Sequence, residues 1–232
     1  MNSNSFLQKC DWLSKLQDSS KLRIIQNGVV LKFKANQKIY DKNSCIDALW
    51  VVITGVVRLG IDSDRGGEII KHLVYSEEVF GESDINTDSK RNEFAKAHTS
   101  CTCLRIPQPV FLDLIKGDPL FREKIILTTV DRIKQLNDRI TAINNRTVSE
   151  RVIHYIYQQI KNRGTKIGIS ECLVTNGVSY KDIALITNTS RLAVAKIMKE
   201  LRNLNIIYFN PIRSERILIR DLNALEALYF NT

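Results

Sequence analysis

Apolar positions change their period several times along this chain, and each change marks an element. Over the first 27 residues Phe6, Leu7, Trp12, Leu13 and Leu16 fall at helical spacing, which predicts a short amphipathic helix. From Val29 the period becomes two. "VVLKFKANQKIY" alternates, and "ALWVVITGVVRLGI" reads as two β-rich runs hinged at Thr54-Gly55. "DSDRGG" is turn chemistry, "EIIKHLVY" is a further strand, and "EFAKAHTSCTCLRIP" supplies two more after a polar loop. Many short strands with glycine turns within about 80 residues predict a small β-barrel or sandwich.

Pro107 and Pro109 end that region. "PVFLDLIKGDP" is a short helix closed by Gly117-Asp118-Pro119, and a long helix follows from about Leu120 to Ile143. Ile126, Ile133 and Ile140 recur every seven residues, with Thr129, Leu136 and Ile143 three after each. That is an a/d seam, and it predicts a helix that pairs with a second copy of itself rather than one packed only on its own domain. "NNRT" interrupts the seam as a hinge. Thr147 with Glu150 then makes a capping-box pattern that starts a new helix, with Val152, Ile153, Ile156, Tyr157 and Ile160 inward and a stop near Gly164. A polar loop and a short β segment, "ECLVTN", come next.

Charge changes the picture because of where it lies. The chain carries a net +9. Residues 146–220 hold 13 Lys/Arg against 5 Asp/Glu, whereas the rest hold 21 against 20. A near-neutral first part and a basic last part point to one module that meets a polyanion. The five cysteines, at 10, 45, 101, 103 and 172, are odd in number and irregularly spaced, which argues against a disulfide framework. Cys101 and Cys103, with His98 nearby, alternate as buried neighbours on one strand face do, so no metal is expected there. No apolar run approaches the roughly 18–20 residues of a membrane span. "MNSNSFLQKCDWLSKLQ" lacks the layout of a secretory signal, and a cytoplasmic place with no membrane partner is expected.

The stretch "VSYKDIALITNTSRLAVAKIMKELRNLNII" carries the chemistry. Ser179 caps a helix with Asp182 in its first turn and Ile183, Ala184 and Ile186 on its apolar side. Asn188 suits the left-handed backbone of a tight turn. Thr189 or Ser190 then caps a second helix, which buries Val194, Ile197, Met198 and Leu201. Its outer face shows Arg191, Leu192, Ala195, Lys196 and Lys199. Arginine reads guanine bidentately in a major groove, while Ser, Thr and Lys hold phosphates. Two strands joined by "NPIRSER" follow as a wing, with Arg213 and Arg216 as phosphate contacts.

From "FGES" in the β region to "NTSRLAVAKIMKELRNLNII", the chain resembles the family of the cyclic-AMP receptor protein and the fumarate–nitrate reduction regulator (Crp/Fnr) over nearly its whole length. The resemblance implies an α+β chain with three parts: a cyclic-nucleotide-binding-like β-roll over 1–119, a dimerisation helix and hinge over 120–145, and a winged helix-turn-helix over 146–232. It implies a homodimeric regulator that reads a two-fold site on double-stranded DNA and contacts RNA polymerase. Ser190 and Arg191 match the start of the family's recognition helix, and Lys196 matches a later basic contact. Leu192 departs from the glutamate often found there. It can offer a base only an apolar contact, such as to a thymine methyl, so the operator differs from the best-known family sites.

In the family's cyclic-nucleotide binders a Gly-Glu pair holds the ribose and an Arg-Ser pair grips the cyclic phosphate. Gly81 and Glu82 match the first pair and Arg91 aligns with the second, but Asn92 replaces the serine and the loop is about one residue shorter. Leu136 and Asn137 stand where the family has hydroxyls that meet adenine. The plain alternative is a surface ion pair between Glu82 and Arg91, worth about 0–1 kcal/mol. Cyclic AMP is therefore not favoured, and the effector stays open. Only Cys10 lies where an iron–sulfur cluster would need several cysteines, and His72 and His98 leave haem ligation open. A regulatory module docking on a partner protein is the rival reading, opposed by the basic wing. There is no GxSxG, P-loop or HExxH, and only three histidines, which argues against an enzyme.

Overall fold

Short alternating runs separated by turns fold back on one another, and the first half of the chain does so twice. The computed structural model describes residues 10–64, 66–82, 90–175, 178–209 and 216–230. Two compact units result, Met1–Gln135 and Leu136–Thr232. In the first, helices α1 (Asp11–Ser14) and α2 (Asp18–Asn27) precede strands β1 (Val29–Phe33), β2 (Lys38–Tyr40), β3 (Ala48–Thr54) and β4 (Val57–Asp62). Strands β5 (Glu68–Val74), β6 (Val79–Phe80), β7 (Phe94–Ala97) and β8 (Cys101–Pro107) follow, and then helix α3 (Gln108–Gly117). Helix α4 (Pro119–Asn145) begins in this unit and ends in the next.

The strands form two antiparallel four-stranded sheets, β1-β8-β3-β6 and β2-β7-β4-β5. Alternation decides what each face buries. Ala48, Trp50 and Val52 of β3 join Tyr40, Val57, Leu59, Phe80 and Ala95 in the core between the sheets. Leu49, Val51 and Ile53 point the other way and pack with Leu13, Leu16, Ile24, Phe111, Leu114 and Phe121 of the helices. Strand β3 is covered on both faces, which explains its unbroken apolar run. Gly55 makes the hinge after it at φ 85°, where a Cβ would lie 2.5 Å from the Ser100 carbonyl oxygen.

One amphipathic helix was expected before β1, and two short ones are found, with Phe6 and Leu7 outside the described residues. The break has a tertiary cause. The amide of Gln17 donates to the Asp118 carboxylate at 3.0 Å instead of continuing a helix. Asp118 also accepts from the amides of Leu120 and Phe121, which caps the start of α4. Burial would raise the Asp118 carboxyl, but hydrogen bonds from Ser20, Gln17, Phe121 and Leu120 outweigh it and hold the group below the usual range.

In the second unit α5 (Val148–Arg163) starts at a complete capping box between Thr147 and Glu150. Hairpin β9 (Gly164–Lys166) and β10 (Cys172–Thr175) leads to helices α6 (Tyr180–Ile186) and α7 (Arg191–Asn203). Strands β11 (Ile207–Phe209) and β12 (Arg216–Ile219) complete an antiparallel sheet of order β11-β12-β10-β9. A final helix, α8 (Leu222–Phe230), was not anticipated from the sequence; Tyr229 stacks on Tyr157 of α5 at 4.2 Å. No helix among the described residues is long and apolar enough to cross a membrane.

Phe121 is fully buried, with its ring 5.8 Å from Phe111 and 6.0 Å from Trp12. Phe121→Ala is expected to lower the stability of the first unit by about 3–5 kcal/mol in urea unfolding; a change below about 1 kcal/mol would contradict this packing.

Candidate nucleic-acid interface

Two capped helices and the turn between them define the candidate interface. Ser179 is the N-cap of α6. Its hydroxyl accepts from the Asp182 amide at 3.3 Å and donates to the Asp182 carboxylate at 2.5 Å, so this hydroxyl is already engaged within the chain. Ile183 and Ala184 are buried below it. Asn188 occupies the turn at φ 51°, the left-handed conformation its position suggested. Ser190, not Thr189, caps α7: its hydroxyl accepts from the Ala193 amide at 3.1 Å. Thr189 instead closes the turn, with its amide donating to the Ala184 carbonyl at 2.9 Å.

The rear of α7 is the buried set Val194, Ile197, Met198 and Leu201. Its outer face keeps Arg191, Leu192, Lys196 and Lys199 exposed, with Ala195 half-buried among them. Among the described residues, no acidic side chain pairs with Arg191, Lys196 or Lys199. Exposed cations on the face of a capped helix match what a phosphate-lined groove requires. Arg216 is exposed on β12, while Arg213 lies outside the described residues.

Two arginines that the sequence did not single out hold this region. Arg151 of α5 donates to the carbonyls of Thr187 at 2.9 Å, Arg146 at 2.8 Å and Asn188 at 3.2 Å. Arg139 of α4 donates to the Leu185 carbonyl at 3.0 Å, and burial pulls its pKa down. Together they satisfy carbonyls that the end of α6 leaves without helical partners. Neither residue carries a local signal, because each partner lies more than 30 residues away for Arg139–Leu185 and Arg151–Thr187.

In the β-roll the surface ion pair between Glu82 and Arg91, the plain alternative to an effector contact, is not formed. Arg91 is only 1% exposed. Its guanidinium donates to the carbonyls of Gly81 at 2.8 Å and Ala48 at 2.5 Å and lies 4.3 Å from the centre of the Tyr40 ring. Asp47 is its nearest carboxylate, at 3.7 Å. Gly81 has to be glycine here, since at φ 84° a Cβ would sit 2.7 Å from the guanidinium. Glu82 pairs instead with Arg132 of α4, which also bonds the Val79 carbonyl. The correction follows from desolvation: a buried guanidinium needs several acceptors, and main-chain oxygens already line the site. Among the described residues, nothing bonds the second oxygen of Glu82, which is buried. Burial raises the Tyr40 hydroxyl and the Glu93 carboxyl beside this group. Asn92 adjoins Arg91, while Leu136 and Asn137 belong to the second unit, half-buried and exposed respectively.

Cys101 and Cys103 are buried with their sulfurs 3.8 Å apart. Among the described residues, no cluster of three or more His, Cys, Asp or Glu groups is placed to hold a metal ion.

On the expected seam, Ile126, Ile133 and Ile140 are 54%, 54% and 58% exposed, while Thr129, Leu136 and Ile143 are half-buried. Leu127 and Val130 are exposed beside them, so the apolar strip in this part of α4 is broader than an a/d line.

Comparison with known proteins places the two halves separately. The family model of the cyclic nucleotide-binding domain matches residues 30–118, and that of the Crp-like helix-turn-helix domain matches residues 150–228. The chain is similar to the nitrogen fixation regulation protein FixK of Azorhizobium caulinodans, 22% identical over 201 residues, covering 87% of this chain and 79% of that one. It is similar to a CRP-like cAMP-activated global transcriptional regulator of Mycobacterium tuberculosis, 21% identical over 193 residues, covering 83% and 84%. The structure of FixK2 from Bradyrhizobium japonicum shares the fold with a TM-score of 0.75 at 18% identity, covering 87% of this chain and 96% of that one.

Arg151→Met removes three hydrogen bonds, two to the turn at Thr187 and Asn188 and one to the Arg146 carbonyl. It is expected to cost about 1–3 kcal/mol in urea unfolding of the whole chain, with Arg151→Lys recovering part of the loss. An unchanged unfolding midpoint in Arg151→Met would mean the turn does not depend on this residue.

Proposed function

The chain belongs to the Crp/Fnr family of DNA-binding transcription regulators, and on that premise we propose that it works as a homodimer reading a two-fold operator through α7. The observation that carries this reading is the outer face of α7. Its rear is fully used in the core, yet Arg191, Lys196 and Lys199 stand exposed in a row beside the capped start of the helix. Ser190 and Arg191 meet bases or phosphates at the start of the groove, and Lys196 and Lys199 follow the backbone. Thr189 and Arg216 add flanking contacts, and Arg213, outside the described residues, adds another. Ser179 contributes by capping α6 with its hydroxyl and not by a contact of its own to DNA.

The homodimer is supported by the exposed apolar strip of α4. Ile126, Ile133 and Ile140, flanked by Leu127 and Val130, are large side chains that an isolated helix leaves in water at a cost. A second copy of the same strip covers them, with Thr129, Leu136 and Ile143 at its margin. A two-fold protein then meets two half-sites of a two-fold operator. The place of action is the cytoplasm, and RNA polymerase is the further partner that the family resemblance implies.

The β-roll is the effector module of this reading, but its chemistry does not favour a cyclic phosphate. The arginine that would grip the phosphate is buried and committed to two carbonyls and the face of Tyr40. Turning it outward would strand those acceptors and desolvate nothing in return. Glu82, by contrast, keeps one buried acceptor oxygen that no described residue bonds, which suits a hydroxyl or amine donor on a different small molecule.

Two measurements test these statements. Ile133→Lys is expected to turn a dimer into a monomer by light scattering and to abolish operator binding; an unchanged dimer mass would sink the α4 seam. In calorimetry, cyclic AMP at millimolar concentration is expected to give no binding heat, and Arg91→Ala is expected to act as a stability defect. Micromolar binding at one site per subunit, lost in Arg91→Ala, would instead make the roll a cyclic-nucleotide sensor.

A further inference from the structure

We propose that Leu192 sets the operator sequence by packing against the 5-methyl group of a thymine in each half-site. This rests on α7 being the helix that reads the groove. Leu192 is 81% exposed, and it is the one large apolar side chain of α7 left outside the core. It sits in the first turn, two residues after the Ser190 cap, so its backbone is held in place. Ala195 follows one turn later on the same face, which extends the apolar surface, and Arg191, Lys196 and Lys199 surround it with positive charge. No Asp or Glu occurs between residues 190 and 199. An apolar spot ringed by cations suits a polyanion with an apolar feature on its surface better than it suits an ordinary protein partner.

The base edges decide which feature that is. In the major groove guanine shows two acceptors, cytosine a donor, and adenine a donor and an acceptor. Against any of these, a leucine displaces water and returns no hydrogen bond. Thymine alone carries a methyl group there, and its contact with Leu192 removes apolar surface from water on both sides. The preference is for an A·T pair with the thymine on the strand facing Leu192, at one position per half-site. A single exposed leucine is common on protein surfaces, so the contact has to be read directly.

The test uses the full-length protein and a random duplex library. Sites enriched by binding are resynthesised with each thymine replaced in turn by deoxyuridine, which lacks only the methyl group. At one thymine per half-site the replacement is expected to weaken binding about fourfold, the equivalent of burying one methyl-sized group, and about fifteenfold when both half-sites are changed. In Leu192→Ala the same replacement is expected to have no effect, because the contact is already gone. Enriched sites at which deoxyuridine is neutral everywhere, or equally harmful in Leu192→Ala, would overturn the role of Leu192 and leave DNA reading by α7 intact. No enrichment of any sequence would overturn the groove-reading helix itself, and this proposal with it.

Discussion

A guanidinium taken out of water must find acceptors for its N–H groups, and among the described residues four buried or half-buried arginines find them in main-chain carbonyls. Arg91 holds Gly81 and Ala48, Arg132 holds Val79, Arg139 holds Leu185, and Arg151 holds Arg146, Thr187 and Asn188. The ends of strands and helices and the turns between them expose carbonyls that no ladder or helix satisfies. Arginine suits them because its fork offers five donors in a fixed plane. Each of these residues ties its helix or loop to the end of an element or to a turn.

That constraint sorts the positive charge of the molecule by use. The basic excess of residues 146–220 includes Arg151, which faces carbonyls, and Arg220, which donates to Asn205 at 2.7 Å. What remains exposed on α7 is a smaller set, Arg191, Lys196, Lys199 and Arg202. A net charge therefore overstates the contacts available to a polyanion. The same sorting applies in the β-roll, where the arginine that the family resemblance aligns with an anion faces main-chain carbonyls, and the glutamate beside it pairs with a different arginine.

The helix-turn-helix shows how burial makes an outer face available. Val194, Ile197, Met198 and Leu201 fill the core behind α7, so the helix needs nothing from its other side. The capping of α6 by Ser179 and of α7 by Ser190 holds both starts, and the left-handed Asn188 sets the angle between them. Leu192 can then stand in water as a reader instead of being drawn into packing.

Local patterns in the sequence were enough for the elements with strong periodicity or end signals. The alternating strands from Val29 onward, the long helix with its heptad isoleucines, the capping box at Thr147 and the two helices around Asn188 were all legible, because propensity, period and caps act over a few residues. The wing was legible from two β runs flanking a proline turn. Long-range pairing was not. The break before α2 depends on Asp118, the two-residue strand β6 exists only because it pairs with β3, and α8 packs through Tyr229. Resemblance brought Gly81, Glu82 and Arg91 together as one site, but the partners of Glu82 and Arg91 were decided by which groups came within reach once the sheets had closed. Hydrogen bonds of buried charges are chosen by three-dimensional proximity and desolvation, and no local spacing encodes either.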